Sequence, residues 1–421
     1  MKDDAEDNVL DDSKSIIVIA DTHLGSTGTV ASRPILLSRF LQWMKTLESQ
    51  PYSVKMGKWG NGIQEKALKP PEKLILLGDI LELWDSTNHT LEACTRFLFN
   101  TLSETKCDKI YILGNHDDDL SEILWNEEFQ LKSLKSVERD YPIGESYLKP
   151  ISGLFPETSK PENGKEELNV YKAGEENYLF LHGHEFDGLF TFPTWKWMPH
   201  FNAVSQAFGK YSWVFVALLS LDVFSILITG NYSLPSLLLL LFLTSISFPF
   251  LVIHLGRNVW NRWRTKKYKR KSGLDGFVKW WEKKLPKQVI VPERPMNIIY
   301  GHTHLTDVVD SPDELTSILN IEEISFNGTL LNLPAWSKDL DEKEDRQQVL
   351  QAVFLYIDNE GYEFLGWDWV SLKPFLIPKE LIKLRRNKGI VVKNSKLFNQ
   401  LVDLGWPTKV IEEWGCASKI D

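Results

Sequence analysis

Asp21-Thr22-His23 and His302-Thr303-His304 each place two metal-binding side chains at positions i and i+2. On an extended backbone such residues leave from one face, so each pair can close on a single ion. Asp79, Asn115 and His182 stand beside glycines at the ends of other short apolar runs. Together these are seven nitrogen or oxygen ligands, more than the four that a tetrahedral zinc takes. They suit two cations sharing the Asp79 carboxylate, the arrangement in which metals about 3.5–4 Å apart promote hydrolysis.

The elements that must position these residues are legible around them. SIIVIADTH, KLILLGD, KIYILGN, NYLFLHG and MNIIYGH are apolar, β-branched runs that end in Gly, Asp, Asn or His, the pattern of buried strands meeting functional loops. Between the first three lie ILLSRFLQWMKTLES and LEACTRFLFNTLSE, whose apolar residues recur at three- and four-residue spacing and predict helices. Alternating strands and helices imply an α/β fold. Pro51 to Pro71 and Phe155 to Glu167 carry the glycines and prolines of surface insertions. VLQAVFLYIDNEGYEFLGWDWV predicts two strands joined by a turn at Asn359 to Gly361. From Lys373 onward the sequence predicts a basic helical appendage.

In chain order the blocks ADTH, GDILE, GNHD, HGH and GHTH resemble the five signatures of the calcineurin-like metallophosphoesterases, over Ser15 to Trp336. The resemblance implies a four-layer α-β-β-α sandwich with a dinuclear centre at the strand ends. It assigns Asp21, His23 and His304 to one ion, Asn115, His182 and His302 to the other, and Asp79 to both. Two divalent cations are implied, manganese first, with iron or zinc as alternatives. It also implies attack on phosphorus by a hydroxide held between the metals, with His116 as general acid oriented by Asp117. His184 is expected at the substrate phosphate or behind the ligands, and Glu82 and Asp85 behind them. His89, His200 and His254 have no motif around them and are not expected in the centre. GDILELWD is further similar to the UDP-2,3-diacylglucosamine diphosphatase branch, which cleaves a pyrophosphate in a lipid-linked nucleotide. His116 and His184 stand where that branch has Arg and Asp, so the exact substrate does not carry over.

Leu234 to Ile253 is a run of twenty uncharged residues, about 30 Å long as a helix and so matched to the hydrocarbon of a bilayer. Trp213 to Gly230 is a second run with one charge, Asp222. His182 precedes both runs and His302 follows them, yet one centre needs both histidines, so a chain that crosses must cross twice; a shallow re-entrant pair and a buried core element are the alternatives. The expectation is a two-helix transmembrane hairpin, at about 211–231 and 234–255, inserted in the catalytic fold. Arg257 to Lys271 carries eight Lys or Arg and no acid, which by the positive-inside tendency puts the catalytic domain on the cytoplasmic side of an integral membrane protein.

The net charge of −9 and three unpatterned cysteines argue against a nucleic-acid partner and a disulfide framework. The expected organisation is a disordered acidic tail (1–14), a phosphoesterase domain in two parts (15–190 and 273–372), the membrane-anchoring insertion (191–272) and the helical appendage (373–421). The expected activity is hydrolysis of a phosphomonoester or pyrophosphate on a lipid or lipid-linked substrate. The alternatives are a tethered enzyme acting on soluble nucleotides or phosphoproteins, and a non-catalytic scaffold on the same fold. Neither the headgroup nor the oligomeric state follows from the sequence.

Overall fold

A computed structural model gives the fold and describes, with interruptions of at most three residues, residues 9–56, 64–83, 93–117, 148–151, 166–167, 170–186, 266–290, 295–339, 352–388 and 395–411. The chain divides into two compact units: Met1–Asp187 with Leu274–Asp421, and Gly188–Gly273.

The first unit is built on two sheets. The seven-stranded sheet contains β1 (Ser15–Ile19), β2 (Pro71–Leu77), β3 (Asp108–Ile112), β4 (Leu148–Ile151), β10 (Val353–Asp358), β11 (Gly361–Asp368) and β12 (Lys373–Leu376), in the order β12-β11-β10-β1-β2-β3-β4. The five-stranded sheet contains β5 (Tyr171–Ala173), β6 (Glu176–Phe180), β7 (Met296–Tyr300), β8 (Asp307–Val309) and β9 (Gly328–Asn332), in the order β8-β9-β7-β6-β5. Strands β1 to β4 run parallel, as do β6, β7 and β9. Their carboxyl ends therefore share one edge of each sheet.

Period-two patterning sorts the side chains into layers. Ile16, Val18, Ile75 and Leu77 pack with Tyr178, Phe180, Ile299 and Leu331 in a core between the sheets. Their sequence neighbours Ile17, Ile19, Leu74 and Leu76 pack outward against Leu37, Phe40 and Leu41 of α1 (Pro34–Thr46). On the outer face of the other sheet, Leu179, Ile298 and Leu330 meet three elements: the end of α2 (Lys266–Lys279), the π-helical turn Trp280–Lys284, and α3 (Pro312–Leu319). The result is the helix–sheet–sheet–helix order of the expected sandwich.

Three expectations change. Residues 9–14 are not a free tail, because Leu10 donates its N–H to the Lys172 carbonyl (2.8 Å) and is buried in the inter-sheet core. The apolar Val9-Leu10 pair supplies burial that the surrounding acids do not. The Pro51 to Pro71 segment is a hairpin, Tyr52–Met56 against Gln64–Leu68, that buries Val54 and Leu68 under α1. The segment from Lys373 is no appendage. It opens with β12 on the sheet edge, continues through α4 (Lys379–Lys388) and α5 (Ser395–Asp403), and sends Phe375, Leu381, Leu401, Trp406 and Ile411 into the inter-sheet core. Its basic composition hid an apolar face that finds its partner only in the folded sandwich.

Among the described residues no helix is long and apolar enough to cross a membrane. The expected spans at 211–231 and 234–255 lie almost wholly outside those residues, as do His89, His200, His254 and Asp222. Within them the described positions are Ser220, Val223, Phe224, Leu238, Leu241 and Phe242, all helical and exposed.

Candidate metal centre

Each parallel strand hands one ligand or pair to the shared edge. Asp21 and His23 follow β1, Asp79 follows β2, Asn115 follows β3, His182 follows β6, and His302 and His304 follow β7. The backbone there is not extended. Asp21, His23, Asp79, His302 and His304 all have positive φ, between 45° and 65°. The i, i+2 pairs therefore converge through left-handed turns beyond the strand ends and not through strand pleating, which corrects the expected geometry. Such conformations are uncommon for side-chain-bearing residues and persist only where the surroundings enforce them. Here the loops hold one another: Asp21 N–H bonds the Gly78 carbonyl, His23 N–H the Asp79 carbonyl (2.8 Å) and Gly301 N–H the His182 carbonyl (2.9 Å).

The glycines next to two ligands are required sterically. A Cβ at Gly78 would lie 2.2 Å from His182 Nδ1, and one at Gly114 would lie 2.1 Å from Asp79 Oδ1. Each leaves room for a ligand arriving from a neighbouring strand.

Among the described residues three overlapping groups of candidate ligands result: Asp21 with His23 and His304, Asp79 with His182 and His302, and between them His23 and Asp79 with His116. The His182 and His302 rings are 5.1 Å apart, and His23 Nε2 lies 3.3 Å from His304 Nε2. Asp79 accepts the His116 N–H at Oδ1 (2.8 Å) and turns Oδ2 toward His182 Nε2 (3.3 Å) and His23 Nε2 (3.9 Å). One carboxylate oxygen thus faces both groups. Asn115 Oδ1 lies 3.2 Å from His182 Nε2.

These donors fit cations. His182 Nδ1 donates to the Leu77 carbonyl (3.0 Å), which leaves its Nε2 lone pair facing the oxygens of Asn115 and Asp79. Burial lowers the His182 pKa, but the Asp79 charge and hydrogen bond outweigh burial and raise it to about 10. A field that holds a proton on a fully buried imidazole is one that a divalent cation satisfies. Asp79 is held well below the usual carboxylate range: burial works against this, and His182 and His116 prevail.

Glu82, three residues after Asp79, has a larger part than the sequence indicated. Its Oε2 accepts from His23 Nδ1 (2.9 Å) and its Oε1 from His116 Nδ1 (2.8 Å), so one buried carboxylate sets the tautomer of both rings. Burial raises its pKa, yet the two imidazole hydrogen bonds bring it down to about 2. Asp117 does not take the expected place behind His116. Its Oδ2 accepts from Tyr111 Oη (2.6 Å) and Ile80 N–H (2.8 Å), and its Oδ1 from Gly114 N–H (2.6 Å). Burial and the Asp79 charge raise its pKa to about 6. Asp117 thereby ties the β2 and β3 loops together, and Glu82 orients His116. Tyr111, in mid-strand with no motif around it, was not identifiable from sequence.

His184 lies beside the centre, with its ring 5.4 Å from His182 and 6.5 Å from His302. Burial presses its pKa down to about 4 against the opposing Glu185 charge, so it is a neutral imidazole at pH 7. Asn332 donates to Thr303 Oγ1 and so steadies the loop between the two histidines after β7.

The family model for the calcineurin-like phosphoesterases matches residues 14–326. No curated protein matches the chain. The three antiparallel strands β10, β11 and β12, beyond the matched residues, complete the seven-stranded sheet.

Proposed function

The chain belongs to the calcineurin-like phosphoesterase family, and on that premise we propose that it is a metal-dependent hydrolase. In this reading it is anchored in a bilayer by the insertion at residues 191–272 and cleaves a phosphomonoester or pyrophosphate bond of a lipid or lipid-linked substrate. When bound, two divalent cations supply the Lewis acidity that activates water and neutralises charge developing on the phosphoryl oxygens. Manganese is the first choice for that pair, with iron or zinc as alternatives.

The chain's own residues divide the rest of the work. Asp21, His23 and His304 would hold one cation and Asn115, His182 and His302 the other, with the Asp79 carboxylate facing both groups. Glu82 keeps the His116 Nδ1 proton in place, which leaves Nε2 to deliver a proton to the departing oxygen. Among the described residues the buried Asn115 amide nitrogen has no acceptor, which makes it a candidate donor for a phosphoryl oxygen. His184, neutral and adjacent, is a second donor for phosphate.

The observation that carries the membrane reading is the convergence of His182 and His302, 5.1 Å apart, from opposite sides of both apolar runs. The flanks of the insertion meet as well: Phe186 and Phe277 are in ring contact at 5.6 Å. An excursion that leaves and returns at one point is compatible with two crossings and not with one. Exposed Phe224, Leu241 and Phe242 support an apolar environment for that excursion. The basic Arg257 to Lys271 run supports a cytoplasmic catalytic domain.

Turnover of detergent-solubilised protein with Mn²⁺ on vesicle-borne and soluble phosphoesters tests the substrate class. Preference for the lipid-borne ester is expected. Equal turnover of soluble nucleotides or phosphopeptides would leave a tethered general phosphoesterase, and protein without bound metal or turnover would leave a scaffold.

A further inference from the structure

Strand β3 places a hydroxyl inside an apolar layer. Tyr111 is fully buried on the outer face of the seven-stranded sheet, in the cluster that holds Leu76, Ile80, Leu81 and Leu113. Phenylalanine would fill that place without desolvating a hydroxyl, which once buried must find partners. Tyr111 has two. Its Oη donates to Asp117 Oδ2 (2.6 Å) and accepts the Leu81 N–H (3.3 Å). Burial and the Asp117 charge push its pKa well above the usual tyrosine range, so the phenol stays a donor at neutral pH.

Among the described residues Asp117 gathers four donors. Besides the phenol these are the backbone N–H groups of Ile80 (2.8 Å) and Leu81 (3.4 Å) at Oδ2, and of Gly114 (2.6 Å) at Oδ1. Ile80 and Leu81 link the candidate ligand Asp79 to Glu82, and Gly114 directly precedes the candidate ligand Asn115. The two loops meet closely here, since a Cβ on Gly114 would lie 2.5 Å from the Asp79 backbone nitrogen. Asp79 itself is at φ 50°, a conformation that its surroundings must enforce, and its Oδ1 accepts the His116 N–H from the neighbouring loop. The direction in which Asp79 turns Oδ2 therefore depends on how the β2 and β3 loops are held against each other. Glu82 depends on the same join: its N–H bonds the Leu24 carbonyl (2.9 Å), and the N–H of Leu83 bonds the His116 carbonyl (3.2 Å). Tyr111 is the one side chain among the four donors, so its hydroxyl is the part of the join that residue type controls.

We propose that the Tyr111 hydroxyl is a positioning group for the metal centre: acting through Asp117, it holds the β2 and β3 loops so that Asp79 faces both cations and Glu82 meets His23 and His116. This rests on the reading of the ligand residues as a two-cation centre. A phenol that only packed would be replaceable by Phe at a cost in stability alone. A positioning phenol is read out at the metals.

The test compares the full chain in detergent, loaded with Mn²⁺, with its Tyr111→Phe, Asp117→Asn and double variants. Two Mn²⁺ ions sharing a carboxylate are magnetically coupled and give an electron paramagnetic resonance signal that isolated ions do not. The parent should show that signal, and Tyr111→Phe should lose much of it at equal Mn²⁺ loading. Tyr111→Phe should also bind Mn²⁺ about tenfold more weakly in equilibrium dialysis, and lower kcat for an aryl phosphate about tenfold with KM held within about twofold. The double variant should be no worse than Asp117→Asn, because the hydroxyl acts through that carboxylate. A Tyr111→Phe protein with a lower melting temperature but the parental coupled signal, Mn²⁺ affinity and kcat overturns the proposal, as do additive losses in the double variant. If Tyr111→Phe does not fold, Asp117→Asn decides: an undisturbed coupled signal there overturns the proposal, and a lost one upholds it. Parent protein that takes up no Mn²⁺ overturns the two-cation reading as well, a result distinct from a loaded parent with an indifferent Tyr111→Phe.

Discussion

Asp79 and Glu82 sit three residues apart and do different work. Asp79 faces both ligand groups through one oxygen, so Asp79→Asn removes the charge common to both cations. The expected result is a loss of turnover of at least about a hundredfold, with bound metal reduced, measured by aryl phosphate hydrolysis and metal analysis. Glu82→Gln keeps the shape but cannot accept from both imidazoles, since its amide nitrogen is a donor. A drop of about 10- to 100-fold in activity or metal affinity is expected. Chelation should abolish turnover and lower the melting temperature, and Mn²⁺ should restore both; at a hundredfold excess over Kd a bound cation adds about 2.7 kcal/mol per site. A melting temperature indifferent to chelator would argue against a built metal centre.

At the level of elements, the clearest departure from expectation is the carboxyl-terminal segment. Trp406 packs at a tilt against Phe375, with ring centroids 5.0 Å apart, and donates its indole N–H to the Leu376 carbonyl (2.6 Å), so the segment just after α5 is fastened to β12. Trp406→Ala should destabilise the fold by about 3–5 kcal/mol in denaturant unfolding, a cost no dispensable appendage would show. The Tyr52–Met56 hairpin is fastened differently. Lys66 bonds Asp358 (3.0 Å) and approaches Glu360, 292 residues further on in the first case. Burial works against its charge, but those hydrogen bonds raise its pKa above 10.5. A raised folded pKa contributes stability that is complete below about pH 10.5 and is lost as the pH climbs through the folded value. Lys66→Met should therefore lower the urea midpoint at neutral pH and converge with the parent in strong alkali; an unchanged midpoint at neutral pH would show that the pair contributes nothing.

Over the whole molecule, the order of the candidate ligands was readable because each is a local signal: an apolar run, a glycine and a donor. The five parallel strands and the β10–β11 hairpin followed from the same local chemistry. The left-handed turns at Asp21, His23, Asp79, His302 and His304 were not readable, since they are imposed by hydrogen bonds between loops far apart in the chain. Nor were the contacts that reassign Asp117 and Glu82. Glu82 meets His23 across 59 positions and His116 across 34, and nothing in GDILE says which imidazoles its oxygens will face. The burial of Leu10 and Trp406 likewise depends on a cavity that exists only once two sheets have closed. Residue type and spacing alone determined which side chains are candidate metal ligands and which strands carry them. The tertiary structure decided how those side chains are turned, which carboxylate holds the His116 ring and where Leu10 and Trp406 are buried, because these depend on packing and hydrogen bonds between segments that the sequence keeps apart.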